Sequence, residues 1–441
     1  MVRQLSAWLL VVSSGAVSAA SVVEQINQHS HMGVATCASS VCHGSSQKFK
    51  DSNVWQNEFA RWQEYDPHAN KALQALRSAE GQAISRKLGL GDATKAKVCL
   101  DCHADNPPDG KRGERFQASD GVGCEACHGG SEQWLTSHAD KGVPHADNVA
   151  KGLYPTSDPV KRAELCLSCH MGTADRMITH RIMGAGHPRL SFELDTFTWL
   201  PEVTHYEVDE DYIARKGDFN GVRDWGLGQG VAAASLLDTL IDPRHGWDGI
   251  FPELVLFDCH ACHKRMDSKR WAARPGTGLG PGVVRLNDAN LVMFRHVLAA
   301  VDKGAASRLG ELTRGLHKAT TQSREATASA ARNLSAEIRR LLPRVSEANL
   351  GAEALMPILD SLLADAERGE FVDYSAAEQA AMAASSVIVA FETAKAIDAT
   401  KAEQLRGRVD AVYDRVKDEN AYQMGAFVNA LRELRQAAAR G

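Results

Sequence analysis

Five times along the chain a pair of cysteines is followed at once by a histidine. The pairs are Cys37 and Cys42 before His43, Cys99 and Cys102 before His103, and Cys124 and Cys127 before His128. Cys166 and Cys169 precede His170, and Cys259 and Cys262 precede His263. No cysteine is left over from the ten in the sequence. With 17 histidines among 441 residues, five such successions would arise by chance with a probability on the order of 10⁻⁷, so the pattern reflects chemistry. Cys-x-x-Cys-His is the signature of covalent haem attachment. Each thiol adds to one haem vinyl group, two intervening residues set the sulfurs apart by the span of those vinyls, and the adjoining imidazole becomes the proximal axial ligand of the iron. The expected cofactor is haem c, five per chain.

Four motifs keep the two-residue spacing, and the first does not. Cys37-Ala38-Ser39-Ser40-Val41-Cys42-His43 places four residues between its cysteines, which a bulged loop can accommodate. Two other uses of paired cysteines account for the pattern less well. Disulfides, common in exported proteins, need no histidine after each pair. Structural zinc takes Cys-x-x-Cys units two at a time, and five units leave one unmatched.

Twelve histidines remain as possible second axial ligands: His29, His31, His68, His138, His145, His180, His187, His205, His245, His260, His296 and His317. A second imidazole makes the iron six-coordinate and suited to electron exchange, whereas an iron without one can bind a small molecule. His260 sits inside a haem-binding turn, where it is expected to face solvent or a propionate. His296 and His317 lie on expected helices, in core or surface roles.

The segment Gly121-Val122-Gly123-Cys124-Glu125-Ala126-Cys127-His128-Gly129-Gly130, with His138 ten residues on, resembles the cytochrome c-554 family. So does the run from Trp55 through Trp62 to Asp66-Pro67-His68-Ala69. Cys166 to His170, followed by His180-Arg181-Ile182-Met183-Gly184-Ala185-Gly186-His187-Pro188-Arg189-Leu190, is similar to larger multihaem relatives of that family. The resemblance covers roughly residues 33 to 285. It implies that His68 is distal to the haem of His128, and His138 to the haem of His43. For the fourth haem it points to His180 or His187, the latter held in the restricted backbone before a proline. It also puts the sixth position of the His103 haem in question. The chain departs from the family in its fifth motif, its longer first motif and its additional helical region. For the fifth haem His180, His187, His205 and His245 all stay open.

Three functions follow from these residues. The leading one is a periplasmic electron carrier that exchanges electrons with redox partner proteins. The second is an oxidoreductase acting on a small nitrogen or sulfur compound at one open haem. No Cys-x-x-Cys-Lys site is present, so the lysine-ligated haem of pentahaem nitrite reductases is missing. The third is a structural or sensing module whose helical part does the work. The net charge of −5, with both signs mixed along the chain, argues against nucleic acid as a partner. Membrane contact is expected to be indirect only.

The elements that must position these groups divide the chain in three. Residues 1–19 read as a cleaved export signal: Arg3, a short apolar stretch from Ala7 to Val12, then the small residues Val17-Ser18-Ala19. Residues 20–285 form the expected pentahaem domain. With about 45 residues per haem, the haems supply much of its core, and regular structure should be sparse. From Arg274 to Val283 the sequence Arg-Pro-Gly-Thr-Gly-Leu-Gly-Pro-Gly-Val marks a break. Residues 286–441 are rich in Ala, Leu, Glu and Arg. Leu405, Val409, Val412 and Val416 recur at helical spacing, as do Met424, Phe427, Leu431 and Leu434. Ser375-Ala376-Ala377-Glu378 reads as a capping box, and Pro343 and Gly369 as helix stops. The expected fold class is mainly α: a cytochrome domain with little regular structure, then an antiparallel bundle of four to six helices through which a homo-oligomer could form.

Overall fold

A computed structural model describes residues 20–50, 53–198, 204–217, 220–244, 246–248, 251–263 and 273–440. The expected export signal and His245 lie outside these residues. The fold is mainly α, and its one strand pair among the described residues is the short antiparallel match of Trp247–Asp248 with Phe251–Pro252.

Up to residue 217 the helices are short. They are α1 (Val22–Ile26), α2 (Glu58–Glu64), α3 (Lys71–Arg77), α4 (Ala79–Leu88), α5 (Lys97–His103), α6 (Cys124–His128), α7 (His145–Ala150), α8 (Pro159–His170), α9 (His180–Gly184), α10 (Leu194–Thr198) and α11 (Glu210–Lys216). Their apolar clusters are correspondingly small. One holds Leu73, Leu76, Ala93 and Ala104, another Val34, Trp62 and Ala69. Such clusters bury too little area to fix a fold by themselves.

The remainder is built differently. It comprises α12 (Gly221–Ile241), α13 (Cys259–Cys262), α14 (Ala289–Val301), α15 (Lys303–Ala319), α16 (Arg324–Ser346), α17 (Ala352–Arg368), α18 (Tyr374–Thr393), α19 (Ala399–Tyr413) and α20 (Met424–Ala439). One continuous core runs through it, from Leu237 and Phe294 to Ile338, Leu359, Phe427 and Leu434. Both sets of apolar residues picked out by helical spacing are in that core, with Met424 at its edge.

Four expectations need correcting. The core does not stop near residue 285: α12 packs on α14, α16 and α18 as well as on α8, and so joins the bundle from the haem side of the expected break. It is buried on nearly every face, as a central helix must be. With α14 to α20 it makes eight helices rather than four to six. Pro343 does not end α16, which continues to Ser346; the proline forgoes only its own bond to the carbonyl four residues upstream. The N-cap of α18 is Asp373, not Ser375, which lies buried inside the helix. Gly369 does close α17, in a left-handed conformation with φ of 85°.

Candidate functional site

Each standard motif is wound into one helical turn. His103 ends α5, His128 ends α6 and His170 ends α8. At the fifth motif the amide of His263 donates to the carbonyl of Cys259 at 2.7 Å. The longer first motif reaches the same closure by a detour. Cys42 N bonds Ser39 O at 2.9 Å, folding the extra residues into a turn, and His43 N returns to Cys37 O at 3.2 Å. The histidine thus sits over its first cysteine as in the shorter motifs.

None of the ten cysteines is joined in a disulfide, and they bring different motifs together. The side chains of Cys37 and Cys124 lie beside each other, as do those of Cys102 and Cys169. The first motif therefore lies against the third, and the second against the fourth. Cys127 of the third motif is also close enough to Cys166 and Cys169 of the fourth to feel their charges.

The histidines form four facing pairs. His43 and His138 are 6.2 Å apart between ring centroids and nearly parallel, and His180 and His263 are 6.1 Å apart. His68 faces His170 at 5.9 Å, and His103 faces His187 at 6.4 Å, both edge-on. An iron about 2 Å from a nitrogen of each ring separates two such centroids by roughly 6 Å. Every pair joins one proximal histidine to one of the remaining twelve. The spacing fits a bis-histidine haem iron.

Hydrogen bonds at Nδ1 separate these histidines from others. In a ligating histidine one ring nitrogen is fixed by a protein acceptor and the other is left for the metal. His43 Nδ1 donates to Glu58 at 3.1 Å, His103 Nδ1 to the carbonyl of Ala72 at 2.7 Å, and His187 Nδ1 to the carbonyl of Pro188 at 2.8 Å. His138 Nδ1 meets the carbonyl of Leu135. His68 and His205 both bond Asp66, at 2.8 and 2.9 Å, one on each carboxylate oxygen. Burial alone would raise the pKa of Asp66, but its two imidazole partners outweigh burial and hold it well below the usual carboxylate range.

At His31, His260, His296 and His317 Nε2 already lies against an oxygen. His31 Nε2 meets the carbonyl of Ile26 while its Nδ1 meets Asp105. His317 Nε2 bonds Asp288 at 2.9 Å, and His296 Nε2 lies 3.2 Å from Asp365. His260 does not face solvent as expected: it is 3% exposed, with Nε2 3.0 Å from Glu419. His31, Asp105 and Glu125 converge, yet Glu125 already accepts the amides of Met32, Gly33 and Ser131. That carboxylate is therefore explained by the loops it ties together. His29 is half-buried against Gly152, and His145 is exposed.

The facing pairs differ from the implied pairing at His68 and His187, while His180 is among the candidates left open for the fifth haem. His68 faces His170, not His128. It is carried there by Val122 N bonding the carbonyl of His68 at 2.9 Å and by the Trp62 indole donating to the carbonyl of Val122 at 3.1 Å. Gly121 allows this approach, since a Cβ there would lie 2.0 Å from the carbonyl oxygen of Ala69. His187 faces His103, the site whose sixth position was in question. The α9 segment is docked on α4, where the Lys87 ammonium donates to the carbonyl of Ala185 at 3.0 Å. His180 faces His263, since its amide donates to Glu253, just upstream of the fifth motif, at 2.8 Å. Among the described residues no imidazole stands at this spacing from His128. Sequence reasoning could place these residues in a ligand pool, but a haem ligand arrives from anywhere in the chain.

A mainly helical chain whose paired cysteines and facing imidazoles fit covalent haem defines the class of c-type cytochromes. The family model described as cytochrome c554 and c-prime matches residues 36–129, the segment holding the first three motifs. This chain is thus a c-type cytochrome that resembles the c554 family over that segment. No curated protein and no solved structure matches it.

Proposed function

We propose that this protein is an exported, periplasmic electron carrier with five covalently bound haems. The observation that carries this reading is the set of four facing histidine pairs at 5.9 to 6.4 Å, each including the histidine of one attachment motif. When bound, haem supplies a one-electron couple, and two imidazoles hold its iron in the same geometry in both oxidation states. The chain's own contribution is placement. Cys37 beside Cys124 and Cys102 beside Cys169 set the attachment edges of neighbouring haems together, so an electron has short steps between centres. Among the described residues no helix is long and apolar enough to cross a membrane; the proposed partners are other redox proteins, with membrane contact only indirect. Homo-oligomers through the helical half belong to the same proposal.

The experiment is a haem count on the mature protein by intact mass, joined to a reductive titration. Five thioether-linked haems and five electrons per chain are expected. A mass carrying four haems with two unmodified cysteines would sink the five-haem reading. A second function, chemistry on a small nitrogen or sulfur compound at an open haem, is favoured by one observation: among the described residues His128 is the one proximal histidine with no facing imidazole.

A further inference from the structure

We infer that the cavity between α10, α18 and α19 binds a small, uncharged hydroquinone, which delivers electrons to the haem held by His170 through the rings of Phe192 and Phe197. This rests on the electron-carrier reading and names the chemistry of one donor to it.

A ladder of rings leads out from the fourth motif. His170 stacks on Phe192 with ring centroids 4.3 Å apart and planes 26° from parallel. Phe192 stacks in turn on Phe197 at 4.8 Å and 17°. With an iron about 2 Å from the imidazole nitrogen, the Phe197 ring lies within roughly 12 Å of that iron. The backbone holds both phenyl rings in place. Gln379 on α18 donates to the carbonyl of Phe192 at 3.3 Å. Glu193 accepts the amides of Asp195 and Thr196 at the start of α10, the helix that carries Phe197. Phe197 is 42% exposed, one of the few large apolar side chains in that state.

The exposed ring forms part of the wall of a cavity of about 350 Å³. Among the described residues Met382, Tyr413 and Val416 also line it, with the exposed pair Asp414 and Lys417. Mostly apolar clefts of this size with a few polar groups are what small ligands occupy. An aromatic ring laid on Phe197 extends the ladder by one step. Lys417 Nζ stands 3.0 Å from Asp414 Oδ1, so the two offer a donor for a ring oxygen and an acceptor for a ring hydroxyl. Glu378, which lines the same cavity, is paired with Arg189 at 2.9 Å. With its charges paired in this way, the cavity favours a neutral ligand over an ion.

The electron balance also matches the array. A hydroquinone oxidised to its quinone breaks two O–H bonds, gives up two electrons and releases two protons to water at the cavity mouth. One haem takes a single electron. Cys169 lies beside Cys102, so the haem of His103 can take the first electron and free the haem of His170 for the second. Two ferric irons become ferrous for each hydroquinone oxidised.

The test uses the full-length oxidised holoprotein, with haem attachment at Cys166 and Cys169 verified by peptide mass. Menadione binding is measured by equilibrium dialysis, and haem reduction by menadiol in stopped flow. Met382→Trp fills the cavity and leaves the ring ladder whole; Phe197→Ala is a surface change that removes the last ring. Wild type should bind menadione saturably, and Met382→Trp should weaken that binding about tenfold or more. Reduction by menadiol should slow in both variants, whereas reduction by dithionite should not change. Lack of saturable binding to wild type would overturn the inference, as would binding and menadiol kinetics that neither variant alters. If no menadione bound and Phe197→Ala slowed reduction by a soluble cytochrome c, this face would belong to a protein partner and the inference would fail. An empty attachment site at Cys166 and Cys169 would instead overturn the electron-carrier reading beneath it.

Discussion

Asp66 is the residue on which two histidines depend. It is almost fully buried and bonds the Nδ1 atoms of His68 and His205, so its charge makes both rings more electron-rich. An electron-rich axial ligand favours the ferric state. Asp66→Asn should therefore raise the reduction potential of the haem of His170, which His68 faces, by some tens of millivolts (order of magnitude). Potentiometry with spectral deconvolution would read it, and an unchanged set of potentials would show that the carboxylate does not tune this centre. The backbone-bonded pair of His103 and His187 serves as the internal control, because its Nδ1 partners are carbonyls of Ala72 and Pro188.

At the scale of an element, α12 shows how close packing overrides propensity. Gly226, Gly228 and Gly230 form a small-residue stripe. A Cβ on Gly230 would stand 2.7 Å from Leu342 Cδ2 and 2.8 Å from Phe294 Cε2. Alanine gains about 1 kcal/mol over glycine inside a helix, but overpacking a full core costs about 1–3 kcal/mol. Gly230→Ala is therefore expected to lower the melting temperature, and a rise would mean that α14 and α16 can shift. The start of α10 gives a pH signature. Glu193 is buried and accepts the amides of Asp195 and Thr196 at 2.6 and 2.8 Å, yet burial and Asp195 push its carboxyl up to about 8. Between its ordinary value of 4.5 and about 8 the folded chain holds a proton that the unfolded chain has released. By linkage this group's contribution to stability falls as pH rises through that window and is flat above it. Glu193→Gln should remove the slope, so the variant's stability relative to wild type should improve steadily from about pH 4.5 to about pH 8. Parallel curves for the two proteins would contradict the assignment.

Across the whole molecule, buried ion pairs join the haem-bearing segments to the helical body. Arg274 and Arg285, downstream of the fifth motif, both bond Asp373 at the start of α18, at 3.0 and 3.1 Å. Arg274 also pairs with Asp288. Glu378 on α18 takes Arg189 at 2.9 Å and Ser191 at 2.6 Å, close behind His187, and His260 in the fifth motif reaches Glu419. Removing one partner of a buried pair leaves an uncompensated charge and costs about 3–5 kcal/mol. Asp373→Ala should lose stability on that scale in denaturant unfolding. It should also perturb the haem of His263 spectroscopically, because the same loops frame that site. A stability loss with the haem spectra unchanged would mean that the helical body and the fifth motif are mechanically independent.

What the sequence determines here is covalent chemistry. A cysteine pair with its adjoining histidine is a local device closed within one turn, so its spacing carries its meaning, and even the extended first motif turns back to place His43 over Cys37. Helical periodicity likewise shows which faces of α19 and α20 turn inward, because burial acts on each turn in the same way. Second ligands are another matter. His68, His180 and His187 could be named as a pool, but which iron each faces depends on long-range bonds: Val122 to His68, His180 to Glu253, Lys87 to Ala185. The resemblance pointed to the His103 site as the uncertain one, whereas packing brings His187 to it and, among the described residues, leaves His128 without a facing imidazole. The place of α12 in the bundle is also invisible in the sequence, since a helix buried all round has no polar face to give its side away. Local bonding is written in spacing, whereas ligand pairing waits for the chain to close on itself.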